Sequence, residues 1–182
     1  MRIISGKARG TKLYSLEGLT TRPTLDRVKE ALFNIIQKDV IESVFLDLFA
    51  GSGAIGLEAA SRGAKKVILC EKNASAVNII NQNIEKTQLQ AVVELHKMSF
   101  EQMLKNIDTP IDITYIDPPY KTNYAYEAIK IIIEKNLINK DGIIIIETDE
   151  EERILEQIES LDIEIISQRK YGRVHLIFVK PK

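Results

Sequence analysis

Two short stretches of the chain hold residue types that could do chemistry together. Asp117, Pro118, Pro119 and Tyr120 follow the apolar run Ile111 to Ile116. The prolines fix φ and remove two backbone donors, which leaves the Pro118 carbonyl and the Asp117 carboxylate as acceptors in a stiff turn. Acceptors without donors suit an amino group. An exocyclic base amine is a poor nucleophile because its lone pair is delocalised into the ring. Two acceptors drawing on its N–H bonds would favour pyramidalisation toward a sulfonium methyl. Tyr120 offers a ring on which such a base could stack, a contact of about 1 to 3 kcal/mol.

The second stretch runs from Asp47 through Phe49, Gly51, Ser52, Gly53 and Gly56, after the apolar run that starts at Val44 and ahead of a helical pattern. This is GxGxxG in the context where glycines let the backbone turn tightly toward a ligand and a new helix presents free N–H groups. Glu71, at the end of the next β run, is placed to accept from both hydroxyls of a ribose. A nucleoside cofactor is indicated, and the loop alone fits NAD as well as S-adenosylmethionine. Asp47 favours the second slightly, since its carboxylate could meet an amino-acid ammonium that NAD lacks.

The elements that must hold these residues are legible as alternating patterns. Short β-rich runs stand at Val44 to Phe49, Lys66 to Cys70, Val92 to Leu95, Ile111 to Ile116 and Gly142 to Glu147. Helical patterns lie between them, such as Ala76, Val77, Ile80 and Ile84 behind a candidate N-cap, Asn73, and a second from Tyr126 to Ile133. Strand, helix, strand repeated along the chain predicts a parallel, doubly wound α/β sheet with right-handed crossovers. Ile163 to Ser167 and Val174 to Val179 are joined by only the basic stretch Gln168 to Arg173. That link is too short for a crossover, so an antiparallel hairpin with basic residues in its turn is expected. Ahead of the sheet, Leu25, Val28, Leu32, Ile35 and Ile36 predict a helix entered through Pro23 and Thr24. Ile3 to Ser5 and Thr11 to Tyr14 predict a small hairpin.

A chain of 182 residues, 45% hydrophobic and 28% charged, predicts one domain with its own core, residues 1–182. Cys70 is the only cysteine, which rules out an internal disulfide or a Cys-rich metal site and suits a reducing, cytoplasmic setting. No apolar run approaches a membrane span, and the N-terminus has no signal-peptide core. The net charge of −1 conceals a split: residues 1–38 carry +5, residues 169–182 carry +5, and the middle carries −11. Two basic ends on an acidic body could form one phosphate-binding face, with Arg9, Lys12, Arg22, Arg169 and Arg173 as candidate RNA contacts. The alternative is that these charges are only solvated. His96 and His175 have no ligand spacing, so no metal is expected. Glu150, Glu151 and Glu152 open a helix pattern and suit its dipole.

The motifs together resemble a known family. Asp117 to Tyr120 is similar to the (Asn/Asp/Ser)-Pro-Pro-(Tyr/Phe/Trp) motif of amino-group methyltransferases, and Asp47 to Gly53 is similar to their S-adenosylmethionine loop. The segment from Arg22, Pro23 and Thr24 to Asn34, the opening Arg2 to Gly6 with Arg9 and Gly10, and Tyr171 with Gly172 resemble the bacterial 16S ribosomal RNA (guanine(966)-N2)-methyltransferase family over nearly the whole chain. The resemblance implies a Rossmann-like seven-stranded S-adenosylmethionine-dependent methyltransferase fold with an N-terminal hairpin-helix extension. It also implies methylation of a guanine N2 amine in 16S rRNA, naked or in a small-subunit assembly particle, by a monomer. Asp117, Pro118, Pro119 and Tyr120 would be the catalytic set. Asp47, Phe49, Gly51, Ser52, Gly53, Glu71, Lys72 and Ser99 would hold the cofactor, and residues 1–38 would form a basic RNA-binding extension. One departure is visible. Many methyltransferases carry an acid after the third strand for the adenine amine, and here Lys97, Met98, Ser99 and Phe100 stand there. The nearest rival is an adenine-N6 methyltransferase acting on RNA or DNA. More distant are a GxGxxG dehydrogenase, which would need a hydride-transfer acid or base that Asp117 to Tyr120 does not offer, and a non-catalytic RNA-binding assembly factor.

Overall fold

Apolar residues on both faces of the central strands divide the core in two. The computed structural model describes residues 1–16, 23–119 and 121–182, with the backbone alone at 23–25. In chain order the elements are α1 (Pro23–Ile35), β1 (Val44–Asp47), α2 (Ala54–Ser61), β2 (Lys66–Cys70), α3 (Ala74–Thr87), β3 (Val93–His96) and α4 (Phe100–Asn106). They continue with β4 (Ile111–Ile116), α5 (Tyr124–Glu134), β5 (Ile138–Thr148), α6 (Glu151–Ile158), β6 (Ile163–Tyr171) and β7 (Val174–Pro181). The sheet order is β3-β2-β1-β4-β5-β7-β6. β1 to β5 are parallel, and β7 runs antiparallel to both neighbours. Phe45, Val67, Leu69, Ile113 and Ile145 pack beneath α1, α2 and α3, while Leu46, Ile68, Ile116, Ile144 and Ile146 pack beneath α4, α5 and α6. Strands so covered on both faces read as continuous apolar runs. Among the described residues no helix is long and apolar enough to cross a membrane.

Asn73 caps α3 as expected, its Oδ1 accepting from Ser75 N and Ala76 N. The expected N-terminal hairpin forms in shortened shape about one antiparallel bridge, Arg2 with Lys12: Ile3 N donates to Thr11 O at 2.9 Å and Leu13 N to Met1 O at 3.0 Å. A side chain stops it from running further. Glu58 of α2, fully buried, accepts from Ile4 N at 2.8 Å and Ser5 N at 3.0 Å, so these donors need no strand partner. Arg62 Nε at 2.7 Å and Lys29 Nζ at 3.3 Å neutralise the carboxylate. Ser61 binds Ala8 N, and Asn83 of α3 accepts from Tyr14 N while donating to Tyr14 O and Ser52 O. The first sixteen residues are therefore laid along α2 and α3 by buried polar side chains.

The C-terminal hairpin also departs from expectation. β6 runs on to Tyr171, so Arg169 and Lys170 lie in the strand, and only Gly172 and Arg173 form the turn. Gly172 there takes φ 64°, left-handed backbone that a residue with a Cβ seldom adopts. Thr148 at the end of β5 pairs with His175 at the start of β7. That register brings the turn to the carboxyl edge of the parallel strands.

Candidate active site

The strand order reverses between β1 and β4, and in open α/β sheets ligands bind beyond the carboxyl ends of the strands at that point. A cleft of about 470 Å³ opens there. Phe49 and Gly51 from the loop after β1, Glu71 and Lys72 after β2, Ser99 and Glu101 at the start of α4, and Asp117 to Pro119 after β4 line its wall.

The glycine loop is shaped for close approach. Gly53 N donates to Ala50 O, and Gly53 itself, at φ 78°, is the left-handed N-cap from which α2 departs. A Cβ on Gly56 would lie 2.2 Å from Leu69 Cδ2, so the third glycine is what lets α2 settle on β2. Glu71 Oε2 accepts from Gly51 N at 2.9 Å and Oε1 from Asn73 N at 2.8 Å. Each oxygen keeps a lone pair, and the carboxylate is held in one pose at the cleft wall, as a ribose diol requires.

Asp47, Ser52 and Gly53 do not line the cleft. Asp47 is buried beneath the loop, where Oδ2 accepts from Gly56 N at 3.1 Å and Oδ1 is buried with no partner. Burial first, then the charges of Glu71 and Glu147, push its carboxyl up to about 7. An orphaned buried oxygen fits a nearby ammonium, though from beneath the loop the contact would pass through a water. Ser52 is tied back through its carbonyl to Asn83, and Ser99 caps α4 in a capping box with Gln102.

Three side chains that sequence reasoning passed over share the cleft. Phe49, which it did select, is stacked on Tyr124 at 6.3 Å between centroids and tilted against Phe100 at 5.4 Å. Lys72 Nζ lies 5.7 Å from the Tyr124 centroid. These rings form an apolar wall that suits a purine face. Glu101 lines the same wall, two residues beyond Ser99, so an acid does follow the third strand, displaced into the first turn of α4. The spacing of Phe100 and Glu101 after β3 was the available signal.

Beside the turn after β4, Tyr115 donates its hydroxyl to Glu147 at the end of β5. Asp117 is exposed and lines the cleft on one side and the crevice beside Glu147 on the other. Desolvation by the surrounding protein, then the charges of Glu147, Asp47 and Asp149, hold it well above the usual carboxylate range. Among the described residues no three His, Cys, Asp or Glu side chains gather as a metal site. Tyr120 and Arg22 lie outside the described residues. Arg173 is exposed in the hairpin turn at the cleft's edge of the sheet. Arg9 is exposed at the other end of α2, since its neighbour Ala8 binds Ser61, and about 12 Å of helix separates that end from the glycine loop. His175 Nδ1 lies 2.8 Å from Glu151, which ties α6 to β7, while Glu150 pairs with Arg153 within the helix's first turn.

A seven-stranded sheet of this order, with a glycine loop after β1 and an Asp-Pro-Pro turn after β4 on one cleft, defines a methyltransferase. The fold is shared with precorrin-6y C5,15-methyltransferase from Geobacter metallireducens, at TM-score 0.70 and 16% identity over 94% of both chains. The solved structure of yhhF from Escherichia coli superposes more fully, at TM-score 0.84 and 26% identity, over 100% of this chain and 98% of that one. The chain belongs to the family described as Conserved hypothetical protein 95, whose model matches residues 1–180. It is 35% identical to Ribosomal RNA small subunit methyltransferase D of Haemophilus influenzae, over 85% of this chain and 82% of that protein. Against the protein of the same name in Escherichia coli K12 the identity is 35%, over 83% of this chain and 76% of that one.

Proposed function

We propose that this chain methylates the exocyclic N2 amine of a guanine in small-subunit rRNA, guanine 966 of 16S rRNA in the family, with S-adenosylmethionine as donor. The observation that carries this reading is the Asp117 turn and the glycine loop opening on one cleft. S-adenosylmethionine supplies a methyl group on a sulfonium centre. Glu71 holds the ribose, the Phe49, Phe100 and Tyr124 rings take the adenine face with Glu101 and Ser99 at its edge, and Asp47 lies toward the ammonium. Lys72 closes the wall beside Tyr124. Asp117 and the Pro118 carbonyl accept from the flipped-out amine, Pro119 stiffens the turn, and Tyr120 supplies the stacking surface. The acidic edge favours a cationic donor and disfavours phosphates, so the polyanion must be held by flanking cations. Residues 1–38 and the hairpin turn are the proposed flanks, in a monomer working in the cytoplasm.

Transfer of labelled methyl to 16S rRNA, naked and in small-subunit particles, followed by nucleoside analysis, tests this directly. N2-methylguanosine is expected. N6-methyladenosine would replace the reading with its rival, and no transfer to either substrate would overturn it.

Glu71→Ala is expected to weaken S-adenosylmethionine binding by about 1.5 to 3 kcal/mol, the range for hydrogen bonds to a charged group. Calorimetry giving wild-type affinity in the folded variant would remove Glu71 from the ribose. Placement of the cations leads to a graded expectation for RNA. Arg173→Glu, at the cleft's edge, should raise the Michaelis constant for RNA and flatten its salt dependence by about 0.7 to 0.9 for each phosphate no longer neutralised. Reversal of Arg9, at the far end of α2, should do less. Equal salt slopes for wild type and Arg173→Glu would show that the turn is only solvated.

A further inference from the structure

Methylation leaves the amine with a proton to lose, and two carboxylates meet beside the turn after β4. Ile116 and Ile146 are partners in the β4–β5 register, so the next residues, Asp117 and Glu147, stand side by side at the strand ends. Both line one narrow crevice with Thr148, Asp149, Glu150 and Arg153. Glu147 is fixed there by the Tyr115 hydroxyl, whose ring is buried under β4 and β5.

We propose that Glu147 is a positioning residue for methyl transfer: held by Tyr115, it keeps Asp117 basic enough to take the proton that the methylated amine releases. This rests on the amine-methylating reading above. The N2 lone pair forms the N–C bond as the C–S bond breaks toward sulfur, which leaves neutral thioether and a positively charged secondary amine. One N–H proton of that amine passes to an Asp117 oxygen and then to solvent, so charge and atoms balance.

The acids around the pair have the required sign. Asp47 from β1 and Asp149 after β5 add negative charge around Asp117. Leu176 faces Glu147 from β7, and it is apolar. The two cations at the crevice are Lys121 and Arg153, and Arg153 is committed to Glu150, Thr122 O and Asn123. Burial raises Glu147 itself, and the Tyr115 hydroxyl opposes that rise and so preserves the charge that acts on Asp117.

The test is a titration of Asp117, followed through its carboxyl carbon by NMR in the protein alone, together with the pH–rate profile for rRNA. Glu147→Gln keeps the shape and a partner for Tyr115 but removes the charge. Its Asp117 midpoint should fall by about one pH unit, the acid limb of the profile should move down with it, and kcat on the plateau should drop about threefold with KM unchanged. If Glu147→Gln does not fold, Tyr115→Phe serves. Without its donor Glu147 binds a proton more readily, and the Asp117 midpoint should again fall. An unchanged midpoint in a folded variant overturns the proposal. A shifted midpoint in a protein that transfers no methyl to rRNA would uphold the pairing and overturn the substrate reading instead.

Discussion

Asp117→Ala is expected to lower methyl transfer to rRNA by about 10²- to 10³-fold, the scale seen when one preorganised electrostatic group is removed from a reacting centre. The alanine variant loses both the acceptor that draws on the amine N–H bonds and the nearest base for the released proton. The cofactor side of the cleft is built from other elements, Glu71 after β2 and the rings around Phe49, so S-adenosylmethionine affinity should stay within about threefold of wild type. Asp117→Asn separates the two roles. It keeps an acceptor oxygen and cannot take a proton, so its rate should fall between wild type and alanine. Wild-type turnover in Asp117→Ala, measured under single-turnover conditions, would remove the carboxylate from the chemistry.

Glu58→Gln should be the most destabilising polar substitution far from the cleft. The carboxylate is fully buried and meets four groups: Ile4 N, Ser5 N, Arg62 and Lys29. Lys29 is itself 1% exposed, and burial, which lowers its pKa, outweighs Glu58, which raises it. Removing one partner of such a pair strands the other charge, at a cost of about 3 to 5 kcal/mol. For a chain of this size that is a fall in Tm on the order of 10 °C. Adding Lys29→Met removes the stranded ammonium and should recover part of the loss. A melting temperature for Glu58→Gln within about a degree of wild type would show that the buried pair contributes little.

The motif-bearing turns were legible because their residues leave few alternatives. Paired prolines after an apolar strand, and glycines where a strand turns into a helix, restrict the backbone locally, and the doubly wound order follows from the alternation. What escaped the sequence were contacts made at long separation. The N-terminal hairpin was legible, yet it ends early because the amides of Ile4 and Ser5 find Glu58 more than fifty positions away, which no local pattern could show. The reach of β6 to Tyr171 was missed because Gln168 to Lys170 are polar and sit on an exposed edge strand, where composition resembles a turn. Glu147 was within reach: it closes the run Ile143 to Ile146, and the carboxyl end of a strand adjoining β4 is where chemistry gathers in such sheets. Glu101 was hidden by looking for an acid at the strand end itself, when α4 begins at Phe100 and carries it into the first turn.

The sheet order has a bearing on how the chain is made. β7 is the last strand of the sheet to be synthesised, yet it lies between β5 and β6 and supplies Leu176, Ile177, Phe178 and Val179 to the cores on both faces. Until those residues leave the ribosome, β5 has an unpaired apolar edge and β6 has no neighbour at all. Chains that fold as they emerge can assemble α1 to β5 early, but here closure waits for β7. A chain that stops short of β7 therefore leaves the apolar edge of β5 uncovered and both cores unfinished.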